Sequence, residues 1–171
     1  GFLDVALAME PKEDGLLRGA FKRTKKYLVD SLMVKRMFVM ALPMMIGTLL
    51  LFRNYFEIDL PKAWTISLTT LAVFQWFNAW NCRHESKSIF NLNPFSNKFL
   101  VGATIIVIFL QFSAVYNPLL QKILHTVPLS FSDWLLIVPV AASIVLFEEI
   151  RKALHRKNEK NYKISYQTPV L

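Results

Sequence analysis

Four apolar stretches without a charged side chain constrain this chain more than any other feature. They run from Met37 to Phe52, Ala63 to Asn81, Phe99 to Gln121 and Trp134 to Phe147. A hydrocarbon core of about 30 Å needs about 20 helical residues. The second and third stretches reach that length outright. Leu32–Val34 and Tyr55–Phe56 extend the first, and the long side chains of Lys35, Arg36 and Arg53 can snorkel to the interface. A hydrophobic fraction of 54% and a charged fraction of 19% would suit a soluble protein on average, but here the charges sit in blocks between the apolar runs. The expected fold is therefore all-α: an integral membrane four-helix bundle preceded by a cytoplasmic N-terminal loop. Its spans fall at about 37–56, 63–81, 99–117 and 133–150. Residues 1–36 form the loop, 37–155 the membrane domain and 156–171 a tail. A soluble enzyme is excluded.

The basic residues orient the frame. Eight of the 20 Lys and Arg precede the first span, Arg83, Lys87 and Lys98 lie between the second and third, and six follow the fourth. Only Arg53, Lys62 and Lys122 fall in the two other loops. The positive-inside rule places both termini in the cytoplasm of a multi-pass protein of the cell membrane. The net charge of +8 then belongs mainly to the cytoplasmic face, where it suits anionic lipid head groups. No nucleic-acid partner is needed to explain it. Tyr55, Phe56, Trp64, Trp80 and Trp134 stand near span ends, as interfacial aromatic rings do. For Trp76 and Trp80, packing against neighbouring helices is an equal alternative.

Local signals mark the breaks. Asn117-Pro118 stops the third helix, because proline disfavours a helical residue before it. Ser132 or Asp133 caps the fourth. Pro43 and Pro139 each remove a backbone donor inside a span. Gly47, close to Pro43, marks either a close helix contact or simple flexibility. Glu10 to Gly15 reads as a turn-rich loop, and the following Leu16–Met37 mixes basic and apolar residues as a surface amphipathic helix does. The opening GFLDVALAME has no initiator Met and no basic n-region, and reads like the middle of a longer protein.

Several chemistries are missing. One cysteine, Cys82, allows no intrachain disulfide. Cys82 and His84, beside Glu85, supply too few ligands for a metal site. No GxxxxGK[ST] or GxGxxG sequence is present to cradle a phosphate, and no Ser–His–acid set is apparent. No catalytic residue and no cofactor site is expected in this chain. Glu148 and Glu149, next to Arg151 and Lys152, read as a salt-bridged helix end rather than a functional acid pair. The middles of the spans hold amides and hydroxyls but nothing ionisable. Gln75 lies roughly 18 Å into its span at 1.5 Å per residue, near the midplane. Asn78 shares its helical face. Each amide either meets a neighbouring helix or offers its oxygen to a cation, and hard cations prefer oxygen. Gln75, and more weakly Asn78, are the candidate metal ligands. Gln111 in the third span reads as structural.

The stretch FQWFNAWNCRHESKSIF, Phe74 to Phe90, resembles the eighth transmembrane helix and following loop of type II P-type cation-transporting ATPases, where the pattern reads like FNAxNxRSExxS. GFLDVALAMEP resembles the sequence after the sixth helix, and FSDWLLIVPVAASIVLFEEIRKAL resembles the tenth. The order and spacing agree over Gly1 to His155. The resemblance implies that Gly1 matches the glycine of a TDG motif, and that helices seven to ten follow a cytoplasmic loop. Gln75 falls where sarcoplasmic-reticulum calcium pumps carry a glutamate ligand. The neutral amide there favours a single-ion or altered stoichiometry. The DKTGT aspartate, the nucleotide-binding and actuator domains and the ligand-bearing helices four to six are not in this sequence. The implied role is the support half of a calcium-type pump, braced against the other helices and cytoplasmic domains of a parent that uses ATP, Mg2+ and a transported cation. The basic GAFKRTKKY stretch departs from the family's RPPR-like loop. A free-standing four-span regulator or a small carrier is the alternative reading.

Overall fold

A computed structural model of the chain describes residues 2–8, 31–83 and 87–167. The turn at Glu10–Gly15, most of the Leu16–Met37 segment, and His84 with Glu85 lie outside these residues. Six helices make up the described chain: α1 (Phe2–Leu7), α2 (Ser31–Phe56), α3 (Leu60–Asn81), α4 (Lys98–Tyr116), α5 (Pro118–Leu124) and α6 (Phe131–Gln167). Two single 3-10 turns, Ile89–Asn91 and Pro94–Ser96, join α3 to α4. The four predicted spans each fall on a helix, with shifted ends. The segment drawn as loop 1–36 contains α1 and the first turns of α2. The tail drawn from 156 continues α6 to Gln167.

Among the described residues three stretches are long and apolar enough to cross a membrane: Val34–Phe56, Lys98–Tyr116 and Phe131–Lys157. Helix α3 has 22 residues but is richer in hydroxyls and amides, because it is the enclosed helix. Its Thr65, Thr69, Thr70 and Asn81 are buried along with Ile66, Val73 and Phe74. The hydroxyls are satisfied: Thr65 and Thr70 donate to the carbonyls of Pro61 and Ile66, and Thr69 accepts from Gln111 Nε2 at 3.0 Å. Gln111 is therefore structural, as its sequence suggests.

Two apolar cores share α3. One unites Met40 and Leu51 of α2 with Val73 and Phe74 of α3 and Ile137, Ala141 and Ile144 of α6. The other joins Leu3 and Ala6 of α1, Ala79 of α3, and Leu100 and Ala103 of α4. Trp76 packs against both. Trp80 donates its indole N–H to Thr104 at 3.1 Å, so both rings face neighbouring helices. Trp64 remains 64% exposed, as an interfacial ring would. Gly47 marks a close contact: a Cβ there would stand 2.7 Å from Val140 Cγ1 and 3.1 Å from Phe74 Cζ.

Helix ends follow short-range chemistry. Asp59 caps α3 by accepting from Lys62 N, with Pro61 in the first turn. Asn117 ends α4 and caps α5 in the same position, accepting from Leu119 and Leu120 N. The cap of α6 is Ser130, not Ser132 or Asp133. Asp133 Oδ2 accepts from Ser130 N at 2.8 Å, while Ser130 Oγ accepts from Asp133 N. This reciprocal pair is a capping box with aspartate in the third helical position. The connection between α3 and α4 is pinned by Arg83, which donates to Asn93 O at 3.2 Å and Ser96 Oγ at 2.6 Å. Asn97 both caps α4 and donates to Ala6 O of α1 at 3.1 Å.

Candidate functional site

Helix α3 meets its neighbours differently on its two sides. Toward α2 and α6 it is clamped at both ends. At one end Glu148 of α6, fully buried, pairs with Arg36 of α2 at 3.2 Å and with Arg151 Nε at 2.7 Å. Beside it the buried Lys152 donates to Asn81 O, the last carbonyl of α3, at 3.0 Å. A cation at a helix C-terminus satisfies an orphan carbonyl and opposes the helix dipole. At the other end Asp133 of α6 accepts from Tyr55 of α2 at 3.1 Å and pairs with Lys62 of α3 at 3.0 Å. Each clamp draws on all three helices. Arg36 and Tyr55 are 19 positions apart, about 28 Å at 1.5 Å per residue, so the charges stand at the two edges of a core about 30 Å thick. Glu148 is salt-bridged as expected, but it does not close a helix, because α6 runs on to Gln167. Arg36 was expected to snorkel, and instead turns inward, because the buried carboxylate offers a stronger partner than the interface.

Toward α1, α4 and α5 the opposite side of α3 is open. A groove of about 630 Å3 runs from Asp4 and Cys82 past Asn78 and Gln75 to Gln111 and Leu124. Gln75 is exposed in it, and its amide has no hydrogen-bond partner among the described residues. Asn78 Oδ1 accepts from Cys82 Sγ at 3.8 Å. Both sequence candidates thus line one groove, one helical turn apart. Asp4 joins them, a carboxylate that the sequence alone did not bring near. Two amide oxygens and one carboxylate fall short of the six to eight oxygens a hard cation takes. Among the described residues no three His, Cys, Asp or Glu side chains gather to hold a metal.

Cys82 lies just beyond α3 at the mouth of this groove. Burial pushes its thiol up, more than the nearby Arg36 charge pulls it down. Since the thiolate is the nucleophile, maleimide labelling at pH 7 is expected to be about tenfold slower than at an exposed cysteine, and to climb with pH. Labelling at the rate of a free thiol would show that the mouth is not packed as described.

The family described as "Cation transporting ATPase, C-terminus" matches residues 1–154. The chain belongs to this family, the C-terminal domain of calcium-pump-like type II P-type ATPases. It is 32% identical over 159 residues to Calcium-transporting ATPase 1 of Saccharomyces cerevisiae, covering 91% of this chain and 17% of that protein. It is 31% identical over 150 residues to a calcium-transporting ATPase of Bacillus subtilis, covering 83% and 16%. With the mouse calcium-transporting ATPase type 2C member 1 it shares 28% identity over 157 residues, 91% of this chain and 17% of the relative. The chain thus spans about one-sixth of the length of these relatives.

Proposed function

We propose that this chain is the support half of the membrane domain of an ATP-driven cation pump, with calcium as the transported ion. Helices α2, α3, α4 and α6 are its four spans, and both termini face the cytoplasm. The observation that carries the reading is the asymmetry of α3. One face is locked to α2 and α6 by charge clamps at both membrane edges, while the other presents an unpartnered amide at mid-depth to an open groove. A rigid plate with one polar, uncovered face suits a brace for ligand-bearing helices that move. Gln75 then lends its oxygen to the ion path, and Asn78 stands behind it. The buried charges at the Arg36 end hold α3 in register while the groove side works.

Gln75→Ala in the full-length pump tests the assignment. Loss of one oxygen from a charged ligand is expected to raise the calcium concentration for half-maximal ATPase activity about tenfold, equivalent to about 1.4 kcal/mol. Gln75→Glu is expected to shift it in the opposite direction or to alter stoichiometry. Unchanged calcium dependence in both variants would remove Gln75 from the ion path and leave the bracing role standing. ATPase activity stimulated by another divalent ion and not by calcium would overturn the choice of cargo.

A further inference from the structure

The connection between α3 and α4 has its polarity turned inside out. A loop in water shows its polar side chains to the solvent and hides its large apolar ones. Here Arg83 and Asn97 are buried, while Phe90 is 78% exposed, Phe95 71% and Phe99 60%. Polar groups of the connection are directed inward. Arg83 donates to Asn93 O and Ser96 Oγ, Ser88 and Asn93 cap the two 3-10 turns, and Asn97 caps α4 and donates to Ala6 O. Glu149 of α6 accepts from Ile89 N at 2.8 Å. The backbone is thus held to α1, α4 and α6 while three rings stand clear of the protein.

The depth of the rings follows from α4. That helix has 19 residues, about 28 Å at 1.5 Å per residue, so it fills a hydrocarbon core of about 30 Å by itself. Phe99, in its first turn, therefore stands at one edge of that core. Phe95 precedes it by four residues and falls in the head-group layer, which is about 5–7 Å thick on each side. The exposed apolar surface is continuous with the span, because Phe99 is followed on α4 by the exposed Ile106 and Phe109, seven and ten residues on, on the same side of the helix. Leu100 and Ala103 take the packed side.

We infer that Phe90, Phe95 and Phe99 are seated in the lipid interface, between acyl chains and head groups, and tie the α3–α4 connection to the bilayer surface. A surface element with polar groups on one side and Phe rings on the other buries those rings at this boundary. Lys98, exposed beside Phe99, has a stem long enough to carry its ammonium to the phosphates. A water-borne domain is a poorer occupant, since it would have to descend through the head groups to cover rings level with the first turn of α4. The inference rests on α4 crossing the membrane and is independent of which ion the parent carries.

The test places the photoreactive analogue benzoylphenylalanine singly at Phe90, at Phe95 and, as a mid-membrane control, at Phe109 of the full-length protein in phosphatidylcholine nanodiscs. After illumination, mass spectrometry of the digest identifies what each ring touched. A phospholipid adduct is expected at Phe90 and Phe95, as at Phe109. An adduct to another peptide at Phe90 or Phe95 overturns the seat, and so does an unreacted residue at either while Phe109 labels. The double variant Phe90→Ser, Phe95→Ser, a surface change, is expected to lower the unfolding temperature in the same nanodiscs. A midpoint that is unchanged or raised, as for rings standing in water, also overturns it.

Discussion

Glu148→Gln is expected to destabilise the protein by about 3 kcal/mol, the low end for breaking a buried ion pair. The carboxylate is fully buried, and two guanidinium groups converge on it within 3.2 Å. A neutral amide cannot balance them, so Arg36 and Arg151 would lose the charge that holds them together. Their side chains keep 20% and 15% exposure, which lets water relieve part of the repulsion and holds the cost at the lower end. Intrinsic tryptophan fluorescence during thermal unfolding in detergent measures the change. The triple variant Arg36→Met, Glu148→Met, Arg151→Met should recover most of the loss, because removing a buried charge group entirely is far cheaper than leaving part of it. A single variant that unfolds with the parent would mean that the clamp contributes no net stability.

Phe74→Ala is expected to cost about 3–5 kcal/mol. Phe74 is 0% exposed at the centre of the three-helix core, and its ring edge lies against the bare backbone of Gly47. Inside a bilayer the lost term is chiefly dispersion and close packing, since lipid tails are as apolar as the core. Gly47 has no side chain to refill the space, and Val140 already packs against that glycine. Phe74→Leu should cost much less, since it keeps most of the volume. The same unfolding measurement decides; a loss below about 1 kcal/mol for Phe74→Ala would show that the α2–α3 contact does not depend on this ring.

The helices were legible in the sequence because their signals are local. Apolar runs without charge, Asn117 before Pro118, and a cap-forming residue just ahead of Trp134 each act within a few residues. Even there the register slipped at the α6 cap. Ser130, Ser132 and Asp133 are all cap-forming residues, and only the backbone path chose Ser130. The pairings were less legible. Arg36 and Glu148 are 112 positions apart, and Lys152 reaches Asn81 from 71 positions away. No local pattern distinguishes an arginine that snorkels from one that turns inward.

The candidate site divides in the same way. That Gln75 and Asn78 share a face of α3 follows from helical periodicity alone. That Gln111 bonds to Thr69 while Gln75 is left open is a tertiary outcome. Each is an amide in an apolar helix, and only the neighbour across the interface separates them. The presence of Asp4 on the same groove depends on α1 packing against α3 and α4, held by Asn97 and Ala6. Sequence by itself determined the helices, their apolar character and which polar groups share a helix face, because these are set by helical periodicity and nearest neighbours. Tertiary structure decided which charges are buried together, which face of α3 is locked and which is open, because those depend on the side chains that distant helices bring within bonding distance.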